Sequence, residues 1–414
     1  MKQERLLRFA VDAGELTMAS GAEAYRAEDT IVRILNTRYE NSSASFVVGT
    51  GLIASVHTED GYDFTAVRRI RKRDIDLDKL SDINSISRGF ISGRLTLSEA
   101  EEQIERVRTK TEKKTFSTLV GVSLTSITFA FLLDGTFMDA ALSGVIGLII
   151  GLFMLWLQRR SSGVFVQNVA IGIIIAVLSA LFSRLGLIDN LAPVIISGLM
   201  PVLPGATFTS ALRDIVDEDY LTGTSRLMES IIIAISLVAG VSTGLNILSP
   251  AKIAPVLPPL LFSNPVFEIF IAALATYFCS ILFKTPKNEK LICAITGGVS
   301  WGVYLIFEHS GHSTSMCVFA GTMVVSFLSR LFAYTRQRPQ TVFFIPGLIP
   351  YFPGADLYNT MEAIKNSNFN GAFVKGLETI KIAGAISITV AIIALLPSSW
   401  FKKLSKLFKN IFCI

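Results

Sequence analysis

The sequence predicts a polytopic α-helical membrane protein, with ten transmembrane helices in two inverted five-helix repeats that contain broken helices, and a small N-terminal cytoplasmic α/β domain. Three observations lead to this fold class. Hydrophobic residues make up 51% of the 414 residues and charged residues only 17%, with a mean hydropathy of +0.53, which is unusual for soluble domains. The charged residues concentrate in the first 114 positions. A nine-residue phrase occurs twice in the apolar remainder.

The first domain, residues 1–114, is expected to combine helices with a small antiparallel sheet. Helical periodicity gives way to β-branched and aromatic runs, and then returns. The expected elements are, in order, helices 3–18 and 22–38, strands 44–48, 52–57 and 62–70, and helices 77–92 and 96–112. Thr96 and Glu99 form a capping-box pattern at the start of the last helix. Glu23, Arg26 and Glu28 lie within about one turn, which suits an acid catalyst or, more commonly, exposed ion pairs on a helix face.

The remaining chain contains ten candidate membrane spans. A helix needs about 20 apolar residues to cross the hydrocarbon, and the candidates are 116–133, 140–157, 164–183, 191–212, 227–249, 262–283, 291–307, 313–333, 341–361 and 374–397. Adding 149 to each of the first five gives the second five within a few residues. Because five is odd, the second copy enters the bilayer from the opposite side, as in an inverted repeat. We therefore divide the rest of the chain into repeats 115–252 and 253–400 and a basic cytoplasmic tail, 401–414.

The loop charges support this count, because Lys and Arg collect in cytoplasmic loops. With the N-terminus inside, the following basic residues become cytoplasmic: Lys110, Lys113, Lys114, Arg159, Arg160, Arg213, Arg226, Lys284, Lys287, Lys290, Arg336, Arg338, Lys402, Lys403, Lys406 and Lys409. The basic residues left outside are Arg184, Lys252, Lys365 and Lys375. We expect a multi-pass protein of a bacterial-type plasma membrane with both termini cytoplasmic. The net charge of +5 then reflects topology and not nucleic-acid binding.

The repeated phrase predicts a binding site inside the membrane. Residues 198–206 and 347–355 share six of nine letters, and both copies place Pro and Gly in an apolar stretch, where freed backbone groups need other partners. The helix after each break offers amide N–H groups to an anion, and the helix before it offers carbonyls to an ammonium group. Such a site suits a zwitterionic amino acid. The candidate substrate-binding residues are Pro201, Pro204, Gly205, Ala206, Thr207, Thr209, Ser210, Pro350, Pro353, Gly354, Ala355, Asp356 and Asn359.

Charged residues beside the two phrases are candidates for coupling. Asp356 stands where the first copy has Thr207, and it either meets the substrate ammonium, carries a coupling proton, or is a helix N-cap. Glu229 and Glu378 are also 149 residues apart, each three positions after a basic residue, Arg226 or Lys375. These i, i+3 pairs are membrane-boundary anchors or, if the broken helices admit water, proton carriers.

The sequence gives little support to enzyme chemistry. It contains no nucleophile–base pairing or Gly-rich phosphate loop. Residues 308–312, Glu-His-Ser-Gly-His, lack the further ligands of a metal site. We therefore expect no catalytic residues, no metal and no cofactor, and we hold export of dicarboxylates, a membrane-embedded enzyme and a passive channel as the alternatives to amino-acid transport.

Taken together, several motifs resemble those of the threonine/serine exporter family, in a form that fuses its N- and C-terminal components. They are residues 21–29 (Gly-Ala-Glu-Ala-Tyr-Arg-Ala-Glu-Asp), 201–206 (Pro-Val-Leu-Pro-Gly-Ala), Arg213-Asp214, 219–229 (Asp-Tyr-Leu-Thr-Gly-Thr-Ser-Arg-Leu-Met-Glu) and 350–356 (Pro-Tyr-Phe-Pro-Gly-Ala-Asp). The resemblance covers nearly the whole chain. It implies proton-driven secondary export of L-threonine and L-serine through a lipid bilayer, by alternating access. The candidate coupling residues are Asp356, Glu229, Glu378, Arg226 and Asp214; a homo-oligomer is left open.

Overall fold

The computed structural model describes residues 2–39, 42–58, 60–71, 73–110, 115–157, 163–251, 264–365 and 367–412. The domain boundaries that we predict at 114 and 252 lie outside these described residues. So do the side chains of two candidate site residues, Ala206 and Ala355, although their backbones are described.

The N-terminal segment, residues 2–110, contains four helices and a three-stranded sheet in its described part. Its elements are α1 (Lys2–Ala19), α2 (Ala24–Leu35), β1 (Ser43–Val48), β2 (Gly51–His57), β3 (Asp63–Arg69), α3 (Leu77–Ile91) and α4 (Leu97–Thr109). The sheet is antiparallel in the order β1-β2-β3, with Ile53 opposite both Phe46 and Val67. The predicted capping box is confirmed, because the Thr96 hydroxyl accepts from the Glu99 amide and Glu99 accepts from the Thr96 amide.

Apolar side chains from the helices and from one face of the sheet fill the core of this segment. Phe9 of α1, Ile31 and Ile34 of α2 and Leu52 of β2 are all buried in one cluster. Burial of such side chains stabilises each by roughly 1.5–3 kcal/mol relative to exposure. The alternation of buried and exposed residues along β2 shows that only one sheet face contributes.

The rest of the described chain is helical, as expected for a polytopic membrane protein. Its helices are α5 (Thr115–Leu132), α6 (Phe137–Leu157), α7 (Val164–Arg184), α8 (Leu191–Leu199), α9 (Gly205–Val216), α10 (Tyr220–Ile247), α11 (Pro265–Leu282), α12 (Lys290–His309), α13 (Thr314–Arg336), α14 (Thr341–Leu348), α15 (Gly354–Lys365), α16 (Phe369–Leu395) and α17 (Ser398–Phe412). Seven helical segments in the described residues are long and apolar enough to cross a membrane: 137–157, 164–184, 220–247, 265–282, 287–309, 314–336 and 369–395. The apolar segment of α5, Phe116–Leu132, is slightly shorter. Two further segments are interrupted, α8–α9 and α14–α15.

The helices after the two repeated phrases begin 149 residues apart, at Gly205 and Gly354 and again at Tyr220 and Phe369. The helix pairs that pack also correspond. In the first half α5 packs on α6, α7 on α10 and α9 on α10; in the second half α11 packs on α12, α13 on α16 and α15 on α16. Between the halves, α5 packs on α11, α9 on α16 and α10 on α15.

The N-terminal segment packs directly against membrane helices. Leu77 at the start of α3 donates a backbone hydrogen bond to the Phe283 carbonyl at 3.1 Å. Ala22, Leu77 and Leu80 share a buried apolar cluster with Val342 of α14 and its neighbours. The segment is thus fixed beside the starts of α12 and α14, and this position brings its residues 22–26 close to α9.

Candidate substrate site

Both repeated phrases interrupt a helix, as the Pro and Gly residues predict. Helix α8 ends at Leu199 and α9 begins at Gly205. In the second copy α14 ends at Leu348, a 3₁₀ turn covers Ile349–Tyr351, and α15 begins at Gly354. A proline has no N–H to continue the helical ladder, so each break leaves backbone groups without helical partners.

The two breaks lie against each other. The rings of Phe208 and Phe352 meet edge to face, with centroids 5.6 Å apart. A methyl group on Gly205 would lie 3.2 Å from Phe352 Cγ, and one on Gly354 would lie 2.8 Å from Leu203 Cδ1. A side chain at either glycine would press on the neighbouring phrase, so glycine at the start of α9 and of α15 favours this close approach.

A cavity of about 150 Å³ lies beside the second break. Its lining includes Pro350, Tyr351, Pro353 and Asp356 from the second phrase, and Met200 from the first. The volume is sufficient for several water molecules, each of which takes up about 30 Å³ in the liquid. The cavity thus touches both repeated phrases but is built mainly from the second.

Aromatic side chains form one wall of this cavity and add polar atoms to it. The rings of Trp301 and Tyr304 stack with centroids 4.5 Å apart, and both line the cavity with Tyr351. The Trp301 indole N–H and the Tyr351 hydroxyl are buried, with Glu268 near the first and Ser300 near the second, but neither makes a hydrogen bond of good geometry with a described residue. Buried polar groups in this condition are costly unless a ligand or water satisfies them.

Asp356 lies in the first turn of α15, which begins two residues earlier at Gly354. It is therefore not the N-cap residue, which was one of its predicted roles. Its carboxylate lies 3.9 Å from the Lys375 ammonium, and that ammonium lies 2.8 Å from Glu378. The predicted Lys375–Glu378 pair is confirmed, and Asp356 joins it at the edge of the cavity.

The other predicted substrate residues do not line this cavity in the described part of the chain. Thr209 and Ser210 are buried in α9, and Thr207 and Asn359 are half-buried. Pro201 and Pro204 lie at the first break, which contacts the second phrase through Leu203 and Phe208. Of the predicted substrate-binding residues, Pro350, Pro353 and Asp356 thus line the cavity. Those predicted in the first phrase are not among its described lining residues.

A cluster of buried ions lies at the other end of α9, where residues of the N-terminal segment insert. Glu23 is only 1% exposed, and its carboxylate lies 2.9 Å from Arg213 and 3.1 Å from Arg26. The Thr341 hydroxyl at the start of α14 donates to the same carboxylate at 3.3 Å. Burial opposes ionisation of Glu23, but the charges of Arg213 and Arg26 outweigh it and hold the pKa of this carboxyl at about 2.

A second ion pair continues this cluster into α10. The Arg226 guanidinium lies 2.8 Å from the Asp214 carboxylate and donates to the Ala22 carbonyl at 2.6 Å. Asp214 also accepts from the Ala24 amide at 3.3 Å. We refer to Glu23, Arg213, Asp214 and Arg226 as the docking cluster, because together they join residues 22–24 to α9 and α10.

Two predictions from the sequence are wrong here. The Glu23–Arg26 ion pair forms at 3.1 Å, but Glu23 was expected on an exposed helix face and is instead buried against α9, because the N-terminal segment packs on membrane helices. Arg226 was expected to pair with Glu229 three residues later. It turns instead to Asp214, and Glu229 pairs with Arg73 of the N-terminal segment at 2.9 Å.

The residues that sequence reasoning missed as a group are Glu23, Arg213 and Thr341. A signal was present, since Glu23 stands between two alanines and Arg213-Asp214 follows directly on an apolar half-helix. Small neighbours permit close approach of another element, and a charge in an apolar context needs a partner. The pairing itself joins residues 190 to 318 positions apart, which local sequence patterns do not encode.

Comparisons with known proteins agree with these features. A family model described as "Putative threonine/serine exporter" matches residues 8–248, and one described as "Threonine/Serine exporter, ThrE" matches residues 268–396. A "Probable threonine/serine exporter" of Mycobacterium tuberculosis is 23% identical over 382 residues, covering 90% of this chain and 70% of that protein. A "Threonine/serine exporter" of Corynebacterium glutamicum is 23% identical over 334 residues, covering 78% of this chain and 67% of that protein. No solved structure matches the chain.

Proposed function

From the premise that this chain belongs to the threonine/serine exporter family, we propose that it exports L-threonine and L-serine by alternating access around its two broken helices. Family membership makes it an amino-acid exporter in a lipid bilayer rather than an enzyme. The observation that carries the proposal is the contact of the two interrupted phrases beside a cavity that Asp356 lines.

The chemistry of the cavity favours an amino acid over a dicarboxylate. Asp356 offers its carboxylate to an ammonium group, and the Tyr351 hydroxyl and the Trp301 N–H can satisfy a carboxylate or a hydroxyl. No Lys or Arg side chain is among the described residues that line the cavity. A dicarboxylate would bring two negative charges to Asp356 without a lining cation to balance them.

The arrangement of the helices supports two inverted five-span repeats. Asp219 caps α10 and Asn368 caps α16, again 149 residues apart, and each follows a non-glycine residue with positive φ, Glu218 or Ser367. Repeats with the same internal packing and an odd number of spans have opposite orientations in the membrane. The ten spans would then be the seven long helices, α5 and the two broken segments.

The position of the N-terminal segment supports a cytoplasmic location for it. It contacts Arg213, Arg226, Lys284 and Arg338, which are basic loop residues of the kind that collect in the cytoplasm. Lys375, at the corresponding place in the second repeat, contacts Asp356 and Glu378 instead. Residues 1–114 would thus form a cytoplasmic domain in a plasma membrane protein whose two termini lie inside.

The docking cluster gives this domain a gating role. Alternating access requires the adjoining cytoplasmic ends of α9 and α10 to move when the transport path opens to admit substrate. In the present state these ends are fixed to the N-terminal segment by buried ion pairs, so opening requires that the pairs separate or that the domain moves with the helices. The cluster would therefore set the equilibrium between inward-closed and inward-open states.

Proton coupling is assigned to the acids beside the cavity. Asp356 and Glu378 share Lys375, and protonation of Asp356 would release both the lysine and a bound substrate ammonium. Glu229, Arg226 and Asp214 lie on the cytoplasmic side of this arrangement and would act on gating.

Transport into everted membrane vesicles tests the function. We expect vesicles that contain the protein to accumulate labelled L-threonine when their lumen is more acidic than the medium, and unlabelled L-serine to compete. Vesicles without the protein and vesicles with no pH difference are the controls. Competition by succinate but not by serine would favour a dicarboxylate exporter, uptake without saturation or a pH gradient would indicate a channel, and no uptake above empty vesicles would refute the proposal.

A further inference from the structure

A second cavity, of about 580 Å³, lies where the N-terminal segment, the α13–α14 junction and the C-terminal helix α17 meet. Six basic side chains line it: Arg26, Arg88, Arg330, Arg338, Lys402 and Lys406. No Asp or Glu is among its described lining residues. The cavity is therefore strongly positive, and it takes no part in the transport site described above.

Among these cations, Arg26 is paired with the Glu23 carboxylate at 3.1 Å, whereas the described contacts of the other cations leave most of their charge unbalanced. Arg88 donates to the neutral Gln337 side chain at 2.9 Å. Arg338 donates to the Ser81 hydroxyl at 2.6 Å, and its nearest carboxylate, that of Glu289, is 3.9 Å away. Neutral partners satisfy hydrogen bonds but do not cancel charge.

Helix α17 adds two lysines that are free to turn toward a ligand. Lys402 and Lys406 are exposed, one helical turn apart, and neither has an ion pair among the described residues. The Phe401 side chain, next to Lys402 in the sequence, is buried against α13, where the Arg330 guanidinium lies 4.6 Å from its ring centroid. Burial of Phe401 fixes the helix, so both lysines are held at the cavity.

The positive charges in this region repel one another. Burial, and then the positive charges of Arg33 and Arg26, lower the pKa of Arg88 below its ordinary value. A bound anion would remove this unfavourable interaction and gain charge-assisted hydrogen bonds from several donors.

We propose that this cavity binds a phosphate-bearing anion, held between the N-terminal segment and α17. Guanidinium groups match phosphate oxygens with pairs of parallel donors, and lysines add mobile point charges. The Tyr334 hydroxyl also lines the cavity and can donate. A carboxylate of a single amino acid would balance only a small part of the positive charge that remains after the Arg26–Glu23 pair, so a multiply charged or phosphodiester headgroup anion fits the site better.

The surroundings indicate that a membrane lipid can supply this phosphate. Trp400 and Leu407 are seven residues apart on α17 and are 59% and 57% exposed, which gives the helix an outward apolar face typical of helices that lie in the membrane interface. The headgroup of a lipid beside α17 would lie next to the cavity, which Lys402 and Lys406 of this helix line. A soluble phosphate compound has the same chemistry, and the experiment below separates the two sources.

The full-length protein is reconstituted into nanodiscs of phosphatidylcholine and titrated with inorganic pyrophosphate at constant ionic strength, with the midpoint temperature of unfolding as the readout. We expect saturable stabilisation. Lys402→Gln and Lys406→Gln should each weaken the apparent affinity about tenfold, the loss of one charged hydrogen bond. Lys403→Gln is the matched control, since Lys403 is exposed on the same helix but does not line the cavity.

Nanodiscs with phosphatidylglycerol identify the source. If the lipid headgroup occupies the site, these nanodiscs raise the unfolding temperature of the wild type, and pyrophosphate then has no further effect. The Lys402 and Lys406 variants should show neither the stabilisation by phosphatidylglycerol nor the loss of the pyrophosphate effect. If a soluble phosphate is the ligand, pyrophosphate stabilises the protein equally in both lipids. The proposal is overturned if neither pyrophosphate nor phosphatidylglycerol stabilises the wild type beyond chloride, or if Lys403→Gln loses as much as the other two variants.

Discussion

The Glu23 carboxylate lies 2.9 Å from the Arg213 guanidinium, and this buried ion pair joins the N-terminal segment to the end of a broken membrane helix. The cavity that we propose as the substrate site lies at the second repeated phrase, beside Asp356. In this proposal, different residues carry substrate recognition and closure, and the two roles can be tested separately.

Removal of the Glu23 charge should destabilise the protein more than removal of an exposed charge. Breaking a buried ion pair from one side costs about 3 kcal/mol or more, so Glu23→Gln should lower the midpoint temperature of unfolding by several degrees. Glu4→Gln is the control, because Glu4 forms an exposed pair with Arg8, worth less than about 1 kcal/mol. Arg213→Gln should lower the unfolding temperature less in the Glu23→Gln background than in the wild type. If Arg213→Gln lowers it equally in both backgrounds, the two residues are not coupled.

The same pair predicts a pH dependence. The pKa of Glu23 is lowered to about 2 from an ordinary value of 4.5, so its contribution of about 3 kcal/mol is fully present above pH 4.5 and is lost as the pH falls toward 2. The difference in unfolding temperature between wild type and Glu23→Gln should be constant from pH 5 to 8 and shrink below pH 4.5. A difference that instead disappears between pH 5 and 8 would contradict a lowered pKa.

The close approach of the two phrases should depend on glycine at position 354. A side chain there meets Leu203 and Met200, so Gly354→Val should push the phrases apart and reduce threonine transport about tenfold or more, since displacement of about 1 Å can cost that much in a positioned site. Gly384→Val is the control, because a Cβ at Gly384 has no described atom within 4 Å. The transport rates are compared at equal amounts of the two variants in the membrane. If Gly354→Val and Gly384→Val transport threonine equally fast, the contact between the two phrases is not required for transport.

Asp356 should carry the pH dependence of transport. Asp356→Asn removes a titratable group and a charged hydrogen bond worth about 1.5–3 kcal/mol, so the rate should fall about tenfold and respond less to the imposed pH gradient. Glu268→Gln is the comparison, since Glu268 lies in the first turn of α11 and does not line the cavity. If both variants keep the wild-type pH response, a different acid couples the proton.

Opposite orientation of the repeats can be measured at Glu218 and Ser367. These residues are 149 apart and both have positive φ just before the next helix. In a cysteine-free background, a membrane-impermeant thiol reagent added to intact cells should label Ser367→Cys and spare Glu218→Cys, with the reverse in everted vesicles. Labelling of both from one side would exclude the inverted repeat.

The elements of the N-terminal segment and the interruptions of both phrases could be predicted closely from the sequence. Their signals are local: the Thr96-Glu99 capping box, the alternation along β2, and Pro and Gly in an apolar run all act on neighbouring residues. The Lys375–Glu378 pair was predictable for the same reason, because residues three positions apart on a helix are neighbours.

The partners of Glu23 and Arg226 were not predictable in this way. Helical spacing offered Arg226 a partner at Glu229, yet tertiary packing brought a buried Asp214 and the Ala22 carbonyl nearer. A buried charge takes the partners that packing supplies, since leaving any of them unpaired costs more than losing an exposed pair. The aromatic wall formed by Trp301 and Tyr304 was missed as well, because nothing in an apolar helix shows which of its faces borders a cavity.

The sequence by itself determined that this chain is a helical membrane protein with a doubled, interrupted unit, because hydropathy, proline and repetition are properties of the chain alone. Tertiary structure decided which phrase borders the cavity and which end of the repeat is covered by the N-terminal segment. Those choices depend on contacts between residues more than a hundred positions apart, where shape and charge are matched only after the chain has folded.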